Sequence, residues 1–224
     1  MNLWFESLLV MLIVADLSLL GASRLKACIR IAAFQGVVLG LLPLFAHVDD
    51  LTLPIVAMAL IGILLKGAVL PWLLSRALVT AKVQLEIEPY VGYGLSMLAG
   101  LLALAGSLWV SAQLPLPKQD LSPLLVPVAL STMFTGLFLI VTRKKALTQV
   151  LGYLVLENGI HAFGVALVQD EPLLVQLGVL LDVFVAIFVM GITLFHINRT
   201  FDHIDADRLT TLSDWRVPLG GKKP

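Results

Sequence analysis

Five ionisable side chains of this 224-residue sequence occur inside long apolar stretches, where they are unusual. Glu157 and His161 interrupt the stretch LGYLVLENGIHAFGVALV, and Asp182 lies in the apolar run that follows. Asp16 and Lys66 lie in two earlier apolar runs. A charged side chain at the centre of a bilayer costs about 2.5–3.5 kcal/mol on insertion scales, so such residues commonly mark ion or proton paths. These five side chains are therefore the candidates for proton translocation.

The stretch around Glu157 carries a polar face. Gln149, Tyr153, Glu157 and His161 recur at every fourth position, and Asn158 borders the same sector. Residues four apart lie on the same side of a helix. Such a face must contact protein or water because lipid offers no hydrogen bonds. We therefore expect Gln149, Tyr153 and Asn158 to extend the polar path.

Glu157 and Asp182 are expected to lie at the same depth on neighbouring helices. The four residues between their apolar runs, 169–172, make the two helices antiparallel neighbours. Counted along the helices, both carboxyls lie about 14–17 Å from the outer ends, near the bilayer midplane. Two carboxyls so placed can exchange a proton directly or through water. The alternative is that the protonated acids only hydrogen-bond between helices. His196 lies near the face of Asp182 and joins the secondary path.

Asp16 and Lys66 form a second predicted pair. Counted from the outer ends of their runs, both lie about 20 Å deep. Equal depth predicts a contact between them, either as a neutralising bridge between helices or as part of a proton relay.

Composition places the chain in the membrane. Hydrophobic residues make up 59% of the chain and charged residues 13%, and the formal net charge is +0. Soluble domains carry about 25% charged residues. With this net charge the sequence gives no indication of a basic surface, so nucleic acid is not an expected partner. A lone Cys28 holds no iron–sulfur cluster or structural zinc. No nucleotide-binding loop or catalytic constellation occurs. We predict no catalytic residues, no metal and no cofactor on this chain, and no activity for the isolated chain.

The predicted fold is an all-α, polytopic membrane protein. Helices are the default because the apolar runs are solid rather than alternating. Pro71 is expected to kink or end the third helix, and Gly152, Gly159 and Gly164 are expected to permit close helix packing. Residues 1–224 form one membrane domain, with four helices in 1–120 and a three-helix unit with a tail in 121–212. Seven runs have spanning length: 3–22, 28–46, 52–73, 91–112, 121–141, 148–168 and 173–197.

Basic residues predict the orientation. Of the 15 Lys and Arg residues, Lys66 lies inside a span and Lys118 is the only one in the alternate loops. The remaining 13 cluster in three turns and the C-terminal tail. Cytoplasmic loops carry an excess of Lys and Arg, so the N-terminus is predicted outside and the C-terminus in the cytoplasm.

Several motifs carry a family resemblance. The segments RKKALTQVLGYLVLENGIHAF, GVLLDVFVAIFVMGI and IDADRLTTL, within 143–212, resemble the E subunit of hydrogenase-4 (HyfE) of the formate-hydrogenlyase group. More remotely they resemble the NuoK-type subunit of respiratory complex I and the MrpC subunit of sodium/proton antiporters. NuoK-type subunits carry a membrane glutamate on each of two helices. Asp182 falls at the second position, whereas the first falls at Leu154, one turn before Glu157.

The resemblance implies a membrane subunit of a complex that couples electron transfer to proton or sodium translocation. It implies antiporter-type membrane partners (NuoL/M/N-like), a redox module on separate chains, and a multi-pass location in the prokaryotic inner membrane. One alternative is a subunit of an Mrp-type cation/proton antiporter or another redox-free transport module. Another is a purely structural assembly subunit.

Overall fold

The computed structural model describes residues 3–46, 52–80, 90–114, 122–167 and 191, and this part of the chain consists of helices and short turns. No strand occurs in these ranges. The third long helix is continuous but contains a π-helical segment, Ile63–Val69, between α3 and α4. The helices are α1 (Leu3–Gly21), α2 (Leu25–Ala46), α3 (Leu53–Gly62), α4 (Leu70–Thr80), α5 (Tyr93–Gln113), α6 (Leu125–Thr142) and α7 (Ala146–Leu167).

Five of the described helical segments are long and apolar enough to cross a membrane. They are α1, α2, Ile55–Val79 of the third helix, α5 and α6. The sixth long helix, α7, has 22 residues and carries the polar face around Glu157. The first six predicted runs each coincide with one of these helices. The seventh run, 173–197, falls almost wholly outside the described residues, so the count of seven and the orientation stay predictions.

Of the two effects expected at Pro71, a kink or an end of the third helix, the structure contradicts the end. The helix continues to Thr80, with the wider π-helical turns immediately before the proline. There the Leu70 N–H bonds to the Leu65 carbonyl, five residues back. A proline has no N–H to give to the preceding turn, so a widened turn at this point costs no backbone hydrogen bond. Lys66 therefore lies in the middle of a helix that runs from Leu53 to Thr80, not near its end.

Close packing between α6 and α7 depends on glycines. A methyl group added at Gly152 would lie 2.8 Å from the Ile140 nitrogen, and one added at Gly159 would lie 2.5 Å from the Met133 nitrogen. Real side chains essentially never approach so closely, so only glycine allows the two backbones to meet here. The packing role predicted for Gly152 and Gly159 is confirmed.

The basic turn between α6 and α7 is partly internal. Arg143 is only 1% exposed, donates a hydrogen bond to the Leu20 carbonyl at 3.2 Å, and lies 5.5 Å from the centre of the Tyr93 ring. Removal from water lowers the pKa of Arg143 from its ordinary value. Arg143 lies in the predicted basic turn, but its side chain is buried rather than exposed to solvent. The other twelve basic residues that were counted for the orientation are unaffected, and the orientation stays a prediction.

Candidate functional site

The predicted candidates Lys66 and Glu157 meet in the middle of the helical bundle. The Lys66 ammonium nitrogen lies 2.5 Å from Glu157 Oε1, and the two side chains are 9% and 3% exposed. Lys66 comes from the π-helical segment and Glu157 from α7. Each residue lies near the midpoint of its own helix, so the pair sits far from both ends of the bundle. Because both charges have left water, their mutual attraction must offset a desolvation cost of several kcal/mol per ion.

A small cavity borders this ion pair. It measures about 10 Å³ and is lined by Lys66, Glu157 and Asn158 together with apolar side chains of α2, α4 and α7. A volume of about 10–15 Å³ on this measure accommodates one water molecule. Glu157 Oε2 is buried and makes no hydrogen bond within the described part of the chain. Beside the ion pair there is thus one carboxylate oxygen without a partner among the described residues, and a space of the size of one water molecule.

Some of the other residues of the predicted polar face on α7 lie beside the ion pair, and others lie away from it. Asn158 is buried beside the cavity, and His161 lies about one turn after Glu157 on α7. Tyr153 packs partly buried against the hydrophobic core. The structure therefore places Asn158 and His161 close to the ion pair, and Tyr153 among apolar side chains.

Gln149 lies away from this group. Its side chain is exposed and donates a hydrogen bond to the Arg143 carbonyl at 3.1 Å. It thereby stabilises the turn before its own helix. Periodicity placed Gln149 on the polar face, but at the end of a helix the nearest acceptors belong to the adjoining turn.

Asp16 occupies a second buried polar site. Gln35 Nε2 donates to Asp16 Oδ1 at 2.7 Å, and the Thr132 hydroxyl donates to Asp16 Oδ2 at 2.7 Å. The three side chains come from α1, α2 and α6. Asp16 is 3% exposed, and among the described residues no cation contacts it. This carboxyl is thus held by neutral donors rather than by a charge.

The predicted contact between Asp16 and Lys66 is replaced by these two separate sites. Lys66 contacts Glu157, whereas both oxygens of Asp16 accept from Gln35 and Thr132. The reason lies in the order of the helices: α2 packs against both α1 and the π-helical segment, and so lies between Asp16 and Lys66. Equal depth along two helices does not make those helices neighbours.

The remaining predicted members lie outside the described residues. Asp182 and His196 belong to the seventh predicted run, so the pairing of Glu157 with Asp182 stays a prediction. Within the described ranges, no group of three or more His, Cys, Asp or Glu residues could hold a metal ion.

Two residues of the Asp16 site, Gln35 and Thr132, were not identified from the sequence. Gln35 had a usable signal, because it is a polar side chain in the middle of the apolar run RIAAFQGVVLG. Thr132 had none, since a threonine in a helix commonly bonds its own backbone. In the structure both are buried, at 0% and 1% exposure.

Comparison with known proteins gives one nearly full-length relative and a partial likeness. The chain is 34% identical over 208 residues to Uncharacterized protein Rv0085 of Mycobacterium tuberculosis, covering 91% of this chain and 93% of that protein. It is also 34% identical over 119 residues to Hydrogenase-4 component E of Escherichia coli K12, covering 53% of this chain and 54% of that protein. Hydrogenase-4 component E of Shigella flexneri matches to the same extent.

The other comparisons are negative. No protein-family model matches the chain. No solved structure matches it. The resemblance to hydrogenase-4 component E inferred from the motifs is supported, though over about half of the chain. The nearly full-length match is decisive for the family: this chain, a membrane protein by its apolar helices, belongs to the family of Rv0085.

Proposed function

We propose that this chain is a membrane subunit of a hydrogenase-type, energy-converting complex in the prokaryotic inner membrane. In this proposal the Lys66–Glu157 pair lies on its path for protons or sodium. The partial similarity to hydrogenase-4 component E and the apolar helices support the membrane-subunit role. The observation that carries the ion-path role is the buried pair at 2.5 Å between the third helix and α7. By the same likeness, the partners are antiporter-type membrane subunits, with the redox module on separate chains.

The pair can change state when a proton arrives. An ionised Glu157 stabilises the Lys66 ammonium, and a protonated Glu157 leaves that ammonium without its counter-charge. The ammonium then favours loss of a proton, either its own or one on a nearby group. Binding of a proton on one side of the pair thereby promotes release on the other.

The groups around the ion pair would extend the proposed proton path beyond it. Glu157 Oε2 faces the protein interior beside a cavity with room for one water, and Asn158 lines the same cavity. A water there would accept a hydrogen bond from Asn158 or donate one to the carboxylate. We propose that His161, and Asp182 on the seventh predicted run, extend the path from this point.

Experiments can distinguish this proposal from the two alternative functions that the sequence left open. A redox-free antiporter subunit would use the same pair, and would co-purify with transport subunits but without a hydrogenase module. A purely assembly role would use the pair to lock the third helix onto α7. Only the ion-path roles require Glu157 to bind and release a proton.

Glu157→Gln tests the central claim. Glutamine keeps the shape and can still accept a hydrogen bond from Lys66, but it cannot exchange a proton. We expect the complex to assemble, as judged by co-purification with the tagged chain, while proton uptake by inverted membrane vesicles falls at least about tenfold, the scale of a lost proton-transfer group.

Glu6→Gln is the matched control for that experiment. Glu6 lies in the first turn of α1, far along the chain from the ion pair, and is expected to leave ion uptake unchanged. If Glu157→Gln assembled and pumped at the wild-type rate, the pair would be structural and the proposal would be wrong.

A further inference from the structure

An apolar groove runs between α1 and α2 on the exposed surface of the helical bundle. Its volume is about 350 Å³. Several of its side chains are about half-exposed, including Val10, Val14 and Phe34. The hydroxyl of Ser18, also in the groove, is bonded to the Val14 carbonyl and needs no other partner. The apolar lining consists of Val10, Met11, Val14, Ala15, Ile31 and Phe34.

One cation stands at one end of this groove. Arg30 lines it, is exposed, and forms no ion pair with any described residue. It lies five residues after Leu25, at the start of α2, near the turn that also carries the exposed Arg24 and Lys26. The groove therefore joins an apolar channel to a basic end.

The dimensions match one leaflet of a bilayer. The lining residues of α1 run from Ser18 to Val10, eight residues apart, which corresponds to about 12 Å along the helix. Half the hydrocarbon thickness of a bilayer is about 15 Å. The groove therefore covers most of the depth of one leaflet, and Arg30 lines its end nearer the turn between α1 and α2.

We propose that this groove binds one anionic phospholipid, with an acyl chain along α1 and α2 and the phosphate at Arg30. The guanidinium group matches phosphate oxygens through two parallel hydrogen bonds. Basic pockets between membrane helices bind anionic head groups in this manner. A transmembrane helix of a partner would fill the apolar channel, but an ordinary apolar helix would leave Arg30 without an anion.

The test is lipid binding to the purified full chain by native mass spectrometry. Phosphatidylglycerol and phosphatidylcholine with identical acyl chains are titrated separately. Wild-type protein should bind phosphatidylglycerol about fivefold more tightly, the effect of one cation near an anionic head group. Arg30→Gln should abolish this preference, whereas Arg24→Gln, a loss of the same charge outside the groove, should keep it.

A second variant tests the channel itself. Val14→Trp fills the groove, and since Val14 is 57% exposed the change leaves the core packing of α1 intact. It should weaken binding of both lipids several-fold. An equal loss of preference in Arg24→Gln and Arg30→Gln, or unchanged binding in Val14→Trp, would overturn the proposal.

A photocrosslinker placed at Phe34 in cells distinguishes the two possible occupants. A lipid adduct supports the proposal. A crosslink to a protein subunit would show that a partner helix fills the groove, and would overturn it.

Discussion

The two buried carboxyls on opposite sides of α2 differ in what holds them. Glu157 and Asp16 are similarly buried, at 2% and 3% exposure. Glu157 faces the ammonium of Lys66, whereas Asp16 faces an amide and a hydroxyl. A cation stabilises the ionised acid, while neutral donors in a dry site leave much of the desolvation cost in place. Equal burial therefore does not imply an equal role.

The two sites contact adjacent residues of α2. Gln35 holds Asp16, and its neighbour Gly36 lies against the backbone of Lys66. Since adjacent residues on a helix point about 100° apart, one turn of α2 serves both sites on different faces. Each site can therefore be changed without touching the other, which makes the comparison testable.

Lys66→Met should have the largest effect. It leaves Glu157 buried without its counter-charge, and breaking a buried pair by removing one partner costs about 3–5 kcal/mol. We expect a marked drop in the thermal unfolding temperature of the purified chain and a lower yield of assembled complex. Lys26→Met, at an exposed position in the first turn of α2, is the control and should change stability by less than about 0.5 kcal/mol. An unchanged unfolding temperature for Lys66→Met would mean that the pair contributes no stability.

Gly36→Ala should have an intermediate effect confined to the ion pair. A methyl group there would lie 2.6 Å from the Lys66 carbonyl carbon and 2.7 Å from its oxygen, so the third helix must move away from α2. We expect ion uptake to fall several-fold because Lys66 loses its position relative to Glu157.

Gly106→Ala is the matched control, since a methyl group at Gly106 meets nothing within 4 Å. It should leave ion uptake unchanged. If both alanine variants behaved alike, close packing of α2 on the π-helical segment would not matter for the pair.

The sequence was most informative about elements and least about neighbours. Hydropathy located each described helix within a few residues, except at the end of the third, which was predicted at residue 73 and lies at Thr80. It also identified Glu157 and Lys66 as members of the candidate site. The position of a residue along its helix gives its depth in the membrane but not its neighbours. Which helices are in contact depends on side-chain packing, and the periodicity of the sequence does not reveal it.

Close packing explains what the sequence left out. The approach of α2 to the π-helical segment is set by Gly36, and that of α6 to α7 by Gly152 and Gly159. A glycine in an apolar run predicts a close approach but does not identify the partner helix. For this reason Glu157 was expected to pair with Asp182, although its nearest described ionisable partner is Lys66.

Asp16→Asn should have the smallest effect and decides whether the comparison holds. With neutral partners and no described cation, we expect Asp16 to act only as a hydrogen-bond acceptor for Gln35 and Thr132, and the Thr132 hydroxyl can rotate to accept from an asparagine amide. Asparagine has nearly the same shape as a protonated aspartic acid. Stability should change by less than about 1 kcal/mol, and ion uptake should match the wild type.

Asp16→Leu provides the contrast for that variant. It leaves the Gln35 amide and the Thr132 hydroxyl buried without their acceptor, which costs about 1–3 kcal/mol. Stability should fall while ion uptake per assembled complex stays unchanged, as measured on vesicles normalised to complex content. If Asp16→Asn instead lowered uptake as Glu157→Gln is expected to do, Asp16 would exchange protons as its place in an apolar run first indicated. The path would then reach both faces of α2, with Gln35 linking its two halves.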